Sequence, residues 1–269
     1  MKSRVPRVLI TGTTSGIGRG LMASYHRQEW DIVAFNRRED KELESQFPGV
    51  QFVHIDVQDR VGIQNYFREA SAKNQIPEVY YLNAGINKVD NLDGFSLDTF
   101  QEVMATNLGG VLNFVDAALP YLSGKKAVFV VSSSTSNIFP NPNNLGYYLS
   151  KVAVEKMFRM FDQRYAKKGW VFKVLILSPI ATNIFVGGKL ASKLQMQIRN
   201  FLTVSVDEAV PAIVKFVQSR RKVFYYTNTA VVFFCLTALI KKIIPGFYQG
   251  SANVDVEKRD SPANLPRLV

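Results

Sequence analysis

The feature that most constrains this chain is the alternation of two kinds of segment. Short, almost continuously apolar runs at 8–11, 31–36, 50–56, 79–83, 127–133 and 171–178 are separated by longer amphipathic stretches. An unbroken apolar run suits a strand buried on both faces of a parallel sheet, because a half-exposed strand would alternate polar and apolar residues. The amphipathic stretches at 17–28, 41–47, 60–73, 97–122, 147–168 and 207–218 predict helices, with a break expected near Gly109-Gly110, and Val223–Tyr226 reads as a last strand. Strand–helix alternation predicts an α/β fold: a doubly wound parallel sheet in a three-layer sandwich with right-handed crossovers. Ligands in such sheets lie beyond the carboxyl ends of the strands, so the strand-to-helix turns are the places to look for chemistry.

Composition narrows the class. The chain has 269 residues, 47% of them apolar and 20% charged, which fits a folded globular protein and neither a disordered chain nor a coiled coil. One cysteine, Cys235, excludes an intramolecular disulfide and a thiolate metal cluster, and His26 and His54 have no metal-ligand spacing. No metal is expected. The formal charge of +11 suits an anionic ligand, a membrane surface or nucleic acid. The cations are scattered and no nucleic-acid module is present, so no nucleic-acid partner is expected. The basic start, 1–7, is followed by an apolar run of only 8–10, too short for a signal peptide, and a cytoplasmic protein is expected.

The first strand runs from Val8 into Gly12-Thr13-Thr14-Ser15-Gly16-Ile17-Gly18. Such a turn opening a helix can hold a pyrophosphate, since glycines permit close backbone approach and the helix N-terminus offers free N–H groups. Gly12, Thr14, Ser15, Gly16, Ile17 and Gly18 are the candidate residues. The second strand ends in Asn36-Arg37-Arg38. An acid there would bind a ribose 2′-hydroxyl and repel a 2′-phosphate, whereas arginine matches phosphate in charge and in donor geometry. The reading is therefore NADP(H) over NAD(H), with Arg37 as the main contact. Asp56 and Val57, ending the third strand, would lie at the adenine.

Ser132-Ser133-Ser134 ends the fifth strand, and Tyr147-Tyr148-Leu149-Ser150-Lys151 opens a helix. Tyr147 and Lys151 are one helical turn apart and share a face. An ammonium beside a phenol favours the phenolate, so the lysine is expected to lower the tyrosine pKa and let the pair exchange a proton with a carbonyl or alcohol oxygen. A serine hydroxyl from the neighbouring strand could hold the same oxygen, and both Ser133 and Ser134 stay open for that role.

These residues, with Asn83-Ala84-Gly85 and Asn107, follow the order found in the short-chain dehydrogenase/reductase family, which the first 180 residues or so resemble. The resemblance implies a Rossmann-type fold and hydride transfer between nicotinamide and a carbonyl or alcohol. It implies Tyr147 as general acid/base, Lys151 on the nicotinamide ribose, Asn107 in a water-linked proton relay, and Asn83, Ala84 and Gly85 lining the cofactor. After the sixth strand the family commonly has Pro-Gly and then a threonine near the nicotinamide. Here Pro179 lacks the glycine and Thr182 follows after a shorter gap. The family's members are often oligomers, which implies a homo-oligomer.

The stretch 185–203 lies where the family places its substrate lid. Its alternation of apolar and basic residues reads either as an amphipathic helix over an apolar pocket, pointing to an apolar carbonyl or alcohol substrate, or as simple core packing. The expected organisation is a dinucleotide-binding and catalytic domain over 1–228, an apolar helix within 229–248 and a polar tail over 249–269. The uncharged part of that helix, 230–240, precedes Lys241-Lys242. For 230–244 three readings stand: a membrane-surface contact, a subunit, core or pocket contact, and a spanning helix. The functional reading is an NADP(H)-dependent oxidoreductase. Its alternative is a catalytically silent NADP-binding sensor or interaction protein.

Overall fold

The computed structural model describes residues 5–88, 95–135, 144–177 and 204–226, all within one compact unit, Met1–Asn228. Seven strands form one parallel sheet: β1 (Arg7–Thr11), β2 (Asp31–Asn36), β3 (Gln51–His54), β4 (Val79–Leu82), β5 (Ala127–Ser134), β6 (Trp170–Leu177) and β7 (Val223–Tyr226). Their order is β3-β2-β1-β4-β5-β6-β7. The helices are α1 (Gly16–Arg27), α2 (Lys41–Gln46), α3 (Arg60–Ala72), α4 (Leu97–Met104), α5 (Gly110–Ala118), α6 (Leu145–Tyr165) and α7 (Val206–Gln218).

All five residues of β1 are buried, as are all four of β4, because apolar layers cover both faces of the sheet. On one face Phe67 of α3, Phe114 of α5 and Phe158 of α6 share a core with Leu9, Tyr80, Phe129 and Phe172. The rings of Tyr80, Phe129 and Phe172 stack across three adjacent strands with centroids 4.4 and 4.9 Å apart. On the other face Leu21 and Met22 of α1 and Ile213 of α7 pack on Val8, Ile10 and Leu175. Gly20 lets those two helices approach, since a Cβ there would lie 2.6 Å from Val206 Cγ1.

One expected helix differs. The stretch 97–122 does not break at Gly109-Gly110. It continues through a π-helical turn, Ala105–Gly109, into α5. Gly110 is required for packing, because a Cβ there would meet Val57 Cγ2 at 2.6 Å. Among the described residues no helix is long and apolar enough to cross a membrane. The run 230–244 and the tail lie outside those residues.

Candidate active site

The strand order reverses at β1. Its connection to β2 goes to one side and β4 lies on the other, which leaves a crevice beyond the carboxyl ends of β1 and β4. Thr11, buried at the end of β1, ties the two ends together. Its hydroxyl oxygen accepts from the N–H groups of Asn83 (3.0 Å) and Ala84 (2.9 Å).

The chain then turns through Gly12, at φ +73°, whose N–H donates to Phe35 O. A Cβ on Gly12 would lie 3.0 Å from Ala84 Cα, and one on Gly18 only 2.0 Å from Gly12 O. The turn is folded onto the first turn of α1 too closely for any side chain. Gly16 adopts φ +56°. Ser15 caps α1 without a side-chain hydrogen bond, and no acid lies in the first helical turn. The N-terminus of α1 is thus offered to an anion, and its glycine cradle fits a pyrophosphate.

A cleft of about 880 Å³ opens over this turn. Gly12, Thr14, Ser15, Gly16, Ile17, Arg37, Asp56, Val57, Asn83, Ala84 and Gly85 line it, as do Arg38 and Thr106. Gly18 sits beneath the lining, buried, as its contact with Gly12 requires. Arg37 is 59% exposed, with its guanidinium 3.9 Å from the Asp56 carboxylate. The two residues expected at opposite parts of an adenosine are therefore neighbours across the cleft. Asn36 also lines the cleft, but its side chain is engaged by Thr13 of the glycine turn. Buried at 5% exposure, it accepts from Thr13 N–H (2.8 Å) and so braces the glycine turn. Sequence reasoning missed this brace, and a buried polar residue at the end of an apolar strand was its signal.

Beyond β4, the three serines of β5 point to different partners. Ser132 Oγ donates to Asn83 Oδ1 at 3.2 Å. Ser133 Oγ donates to the backbone carbonyl of Lys151 at 3.1 Å. Ser134 is hydrogen-bonded to the Tyr147 side chain. Of the two open serines, Ser133 fastens α6 to the sheet and Ser134 meets the phenol. Tyr148, beside it, is half-buried.

Tyr147 and Lys151 share one face of α6, the lysine Nζ lying 5.5 Å from the phenol ring centre. The ammonium donates to Ser132 O at 2.9 Å. Burial pushes the Tyr147 phenol up to about 12, partly opposed by the Ser134 hydrogen bond, and brings Lys151 down to about 8. The expected lowering of the tyrosine by the lysine is thus outweighed. Both groups are shut away from water, and burial penalises the charged form of each.

Asn107 lies inside the π turn and is 2% exposed. Its Oδ1 accepts from Ile86 N–H (2.8 Å), and its Nδ2 donates to Ile86 O (2.9 Å) and Ser150 Oγ (3.0 Å). Ser150 in turn donates to Tyr147 O at 2.7 Å. The side chain of Asn107 therefore pins the loop after β4 to the start of α6. Ser150 was not anticipated from sequence. Gly85 makes room for this junction, since a Cβ there would be 3.0 Å from Asn107 Oδ1 and 3.6 Å from Lys151 Nζ. Pro179, Thr182 and the stretch 185–203 lie outside the described residues.

The family model for the short chain dehydrogenases matches residues 6–195. An uncharacterized oxidoreductase of Schizosaccharomyces pombe is 26% identical over 181 residues, covering 66% of this chain and 61% of its own length. A glucose 1-dehydrogenase of Gluconobacter oxydans is 27% identical over 172 residues, covering 61% of this chain and 65% of its own length. The matches thus span less than two thirds of these relatives. Among solved structures, a short chain dehydrogenase from Burkholderia cenocepacia in complex with NADP superposes with a TM-score of 0.72 at 19% identity, covering 90% of this chain and 97% of that one. A 4-hydroxyisoleucine dehydrogenase complexed with NADH gives 0.70 at 18% identity, covering 84% and 99%. At those identities the superpositions speak for the fold, while the family model spans well over half of the sequence: the chain belongs to the short-chain dehydrogenase family.

Proposed function

We propose that this protein is an NADP(H)-dependent oxidoreductase that exchanges a hydride with an apolar carbonyl or alcohol substrate. The observation that carries the reading is the meeting of Ser134, Tyr147 and Lys151 beside a glycine-lined cleft with Arg37 on its rim. The glycine turn and the N-terminus of α1 would hold the pyrophosphate, Arg37 the 2′-phosphate, Asp56 and Val57 the adenine, and Asn83 to Gly85 the nicotinamide side. NADPH, when bound, supplies the hydride.

With its pKa pushed up to about 12, Tyr147 carries its proton at neutral pH. It is therefore set to donate from Oη to a carbonyl oxygen as that oxygen gains negative charge. An alkoxide is a stronger base than a phenolate, so the transfer runs downhill even from a raised phenol. Ser134 would hold the same oxygen in line. Lys151, at hand as a cation, would stabilise the phenolate left behind. Asn107 would keep these groups in register by fixing the loop after β4 against α6.

The apolar character of the substrate rests on the sequence of 185–203. With this reading go a cytoplasmic homo-oligomer and the division into a catalytic domain (1–228), an apolar helix (229–248) and a tail (249–269). The test is turnover of apolar aldehydes and ketones with NADPH by the wild type and Tyr147→Phe. The expected result is a loss of at least about 100-fold in kcat with unchanged NADPH affinity. Equal turnover by both proteins would remove Tyr147 from the chemistry.

A further inference from the structure

The amino ends of β5 and β6, opposite the cleft, carry a basic surface that the proposed reaction does not use. Lys125-Lys126 leads into β5 and Lys167-Lys168 into β6. Ala127 and Trp170 are register partners, so these lysine pairs enter adjacent strands side by side. All four lysines are exposed, as is Arg164 in the last turn of α6. The aromatic side chains between them hold the cluster together. Lys168 Nζ lies 5.2 Å from the Trp170 ring centre, Arg164 lies 5.7 Å from Tyr165, and the two rings are 5.3 Å apart. The Trp170 indole donates to Leu122 O and so fastens the loop that carries Lys125-Lys126.

No acid occurs in 117–127 or 163–173. The nearest in sequence, Asp162, accepts from Lys222 Nζ (2.9 Å) and from Phe172 N–H (3.1 Å). One strand further, Arg220 and Arg221 precede β7 and are exposed. On the other side, Glu78 precedes β4 beside the start of β5, its backbone O accepting from Val128 N–H (2.8 Å) and its carboxylate from Arg7 N–H (2.7 Å). The cations along the edge thus outnumber the acids, Asp162 and Glu78, that border it.

We propose that this basic edge docks the protein on an anionic phospholipid bilayer. A single-stranded nucleic acid is disfavoured because the aromatic rings of the patch offer nothing for bases to stack on: Trp170 is 5% exposed, and cations lie over both rings. Compact ammonium groups spread over two strand ends suit the diffuse field of a headgroup layer. Stable attachment takes two signals, and the sequence supplies another in the uncharged run 230–240, followed by Lys241-Lys242. Strands of eight residues, about 26 Å long, separate the basic edge from the cleft. Docking by this edge leaves the cleft facing the aqueous phase.

The experiment is co-flotation of the full chain with phosphatidylcholine vesicles, with and without 30% phosphatidylserine, at about 50 and 300 mM salt. The proposal predicts binding only to the phosphatidylserine vesicles, weakened at high salt. The variant Lys125→Gln, Lys126→Gln, Lys167→Gln, Lys168→Gln should bind at least about 100-fold more weakly, at about a factor of five per lysine. A control, Lys41→Gln, Arg60→Gln, Arg68→Gln, Lys156→Gln, removes the same formal charge elsewhere and should bind as the wild type does. NADPH affinity should be unchanged in the edge variant, which separates this surface from the cleft. Equal binding by wild type and edge variant would overturn the proposal. So would equal loss in edge variant and control, binding to pure phosphatidylcholine, or complete displacement by an equal charge of duplex DNA.

Discussion

Lys151 is kept in the fold against its own solvation. Burial lowers it from its ordinary 10.5 to about 8, and it is only 6% exposed. That shift corresponds to about 3 kcal/mol against the charged form at neutral pH. The hydrogen bond from its ammonium to Ser132 O offsets about 1.5–3 kcal/mol of the cost. Lys151→Met removes both, so the variant without cofactor should be as stable as the wild type at pH 7, or more stable by about 1 kcal/mol. The pH dependence is the sharper test. Between pH 8 and 10.5 the unfolded wild type binds the lysine proton and the folded protein does not, so wild-type stability rises with pH across that window. The methionine variant lacks this slope. Its advantage over the wild type should therefore shrink by about 1.4 kcal/mol per pH unit, and by about 3 kcal/mol in all, on going from pH 7 to 10.5. Urea unfolding of both proteins at pH 7, 8, 9 and 10 measures the difference directly, and the tyrosines common to both largely cancel. A difference that stays flat across that range would mean that Lys151 is not desolvated, and the electrostatic account of the site would fail.

Other outcomes follow from the same geometry. Ser134→Ala should lower kcat by at least about tenfold with little change in Tm, because it removes the partner of the Tyr147 hydroxyl. Ser133→Ala should do the reverse, losing about 1 kcal/mol in urea unfolding with kcat nearly unchanged, since its hydroxyl donates to the Lys151 carbonyl and so fastens α6 to the sheet. Gly18→Ala would place a Cβ 2.0 Å from Gly12 O, which should cost about 1–3 kcal/mol of stability and abolish NADPH binding by calorimetry.

Much of this arrangement could be read from the sequence, for physical reasons. Strands buried on both faces are continuously apolar, and β1, β2 and β4 to β6 stand out for that. Strand β3 is shorter than its apolar run suggests, because its residues are half-buried or exposed at the sheet edge. The glycine turn was legible because its glycines are sterically required. Gly109-Gly110 misled in the other direction: the pair looks like a helix break, yet Gly110 answers to Val57 packing against the helix. That is a contact between residues distant in sequence, invisible to local pattern. The serine register could not be settled by counting, because residues alternate across β5 and only the position of α6 decides which hydroxyl meets Tyr147. The pKa values were also out of reach, since they depend on how completely α6 closes over the phenol and the ammonium.

The most direct test of the account is a calorimetric titration of the wild type and Arg37→Ala with NADPH and with NADH. The account predicts tight binding of NADPH, weak binding of NADH, and a loss in Arg37→Ala of at least about tenfold for NADPH with little change for NADH. Equal affinity for the two nucleotides, or an equal loss of both in the variant, would contradict it.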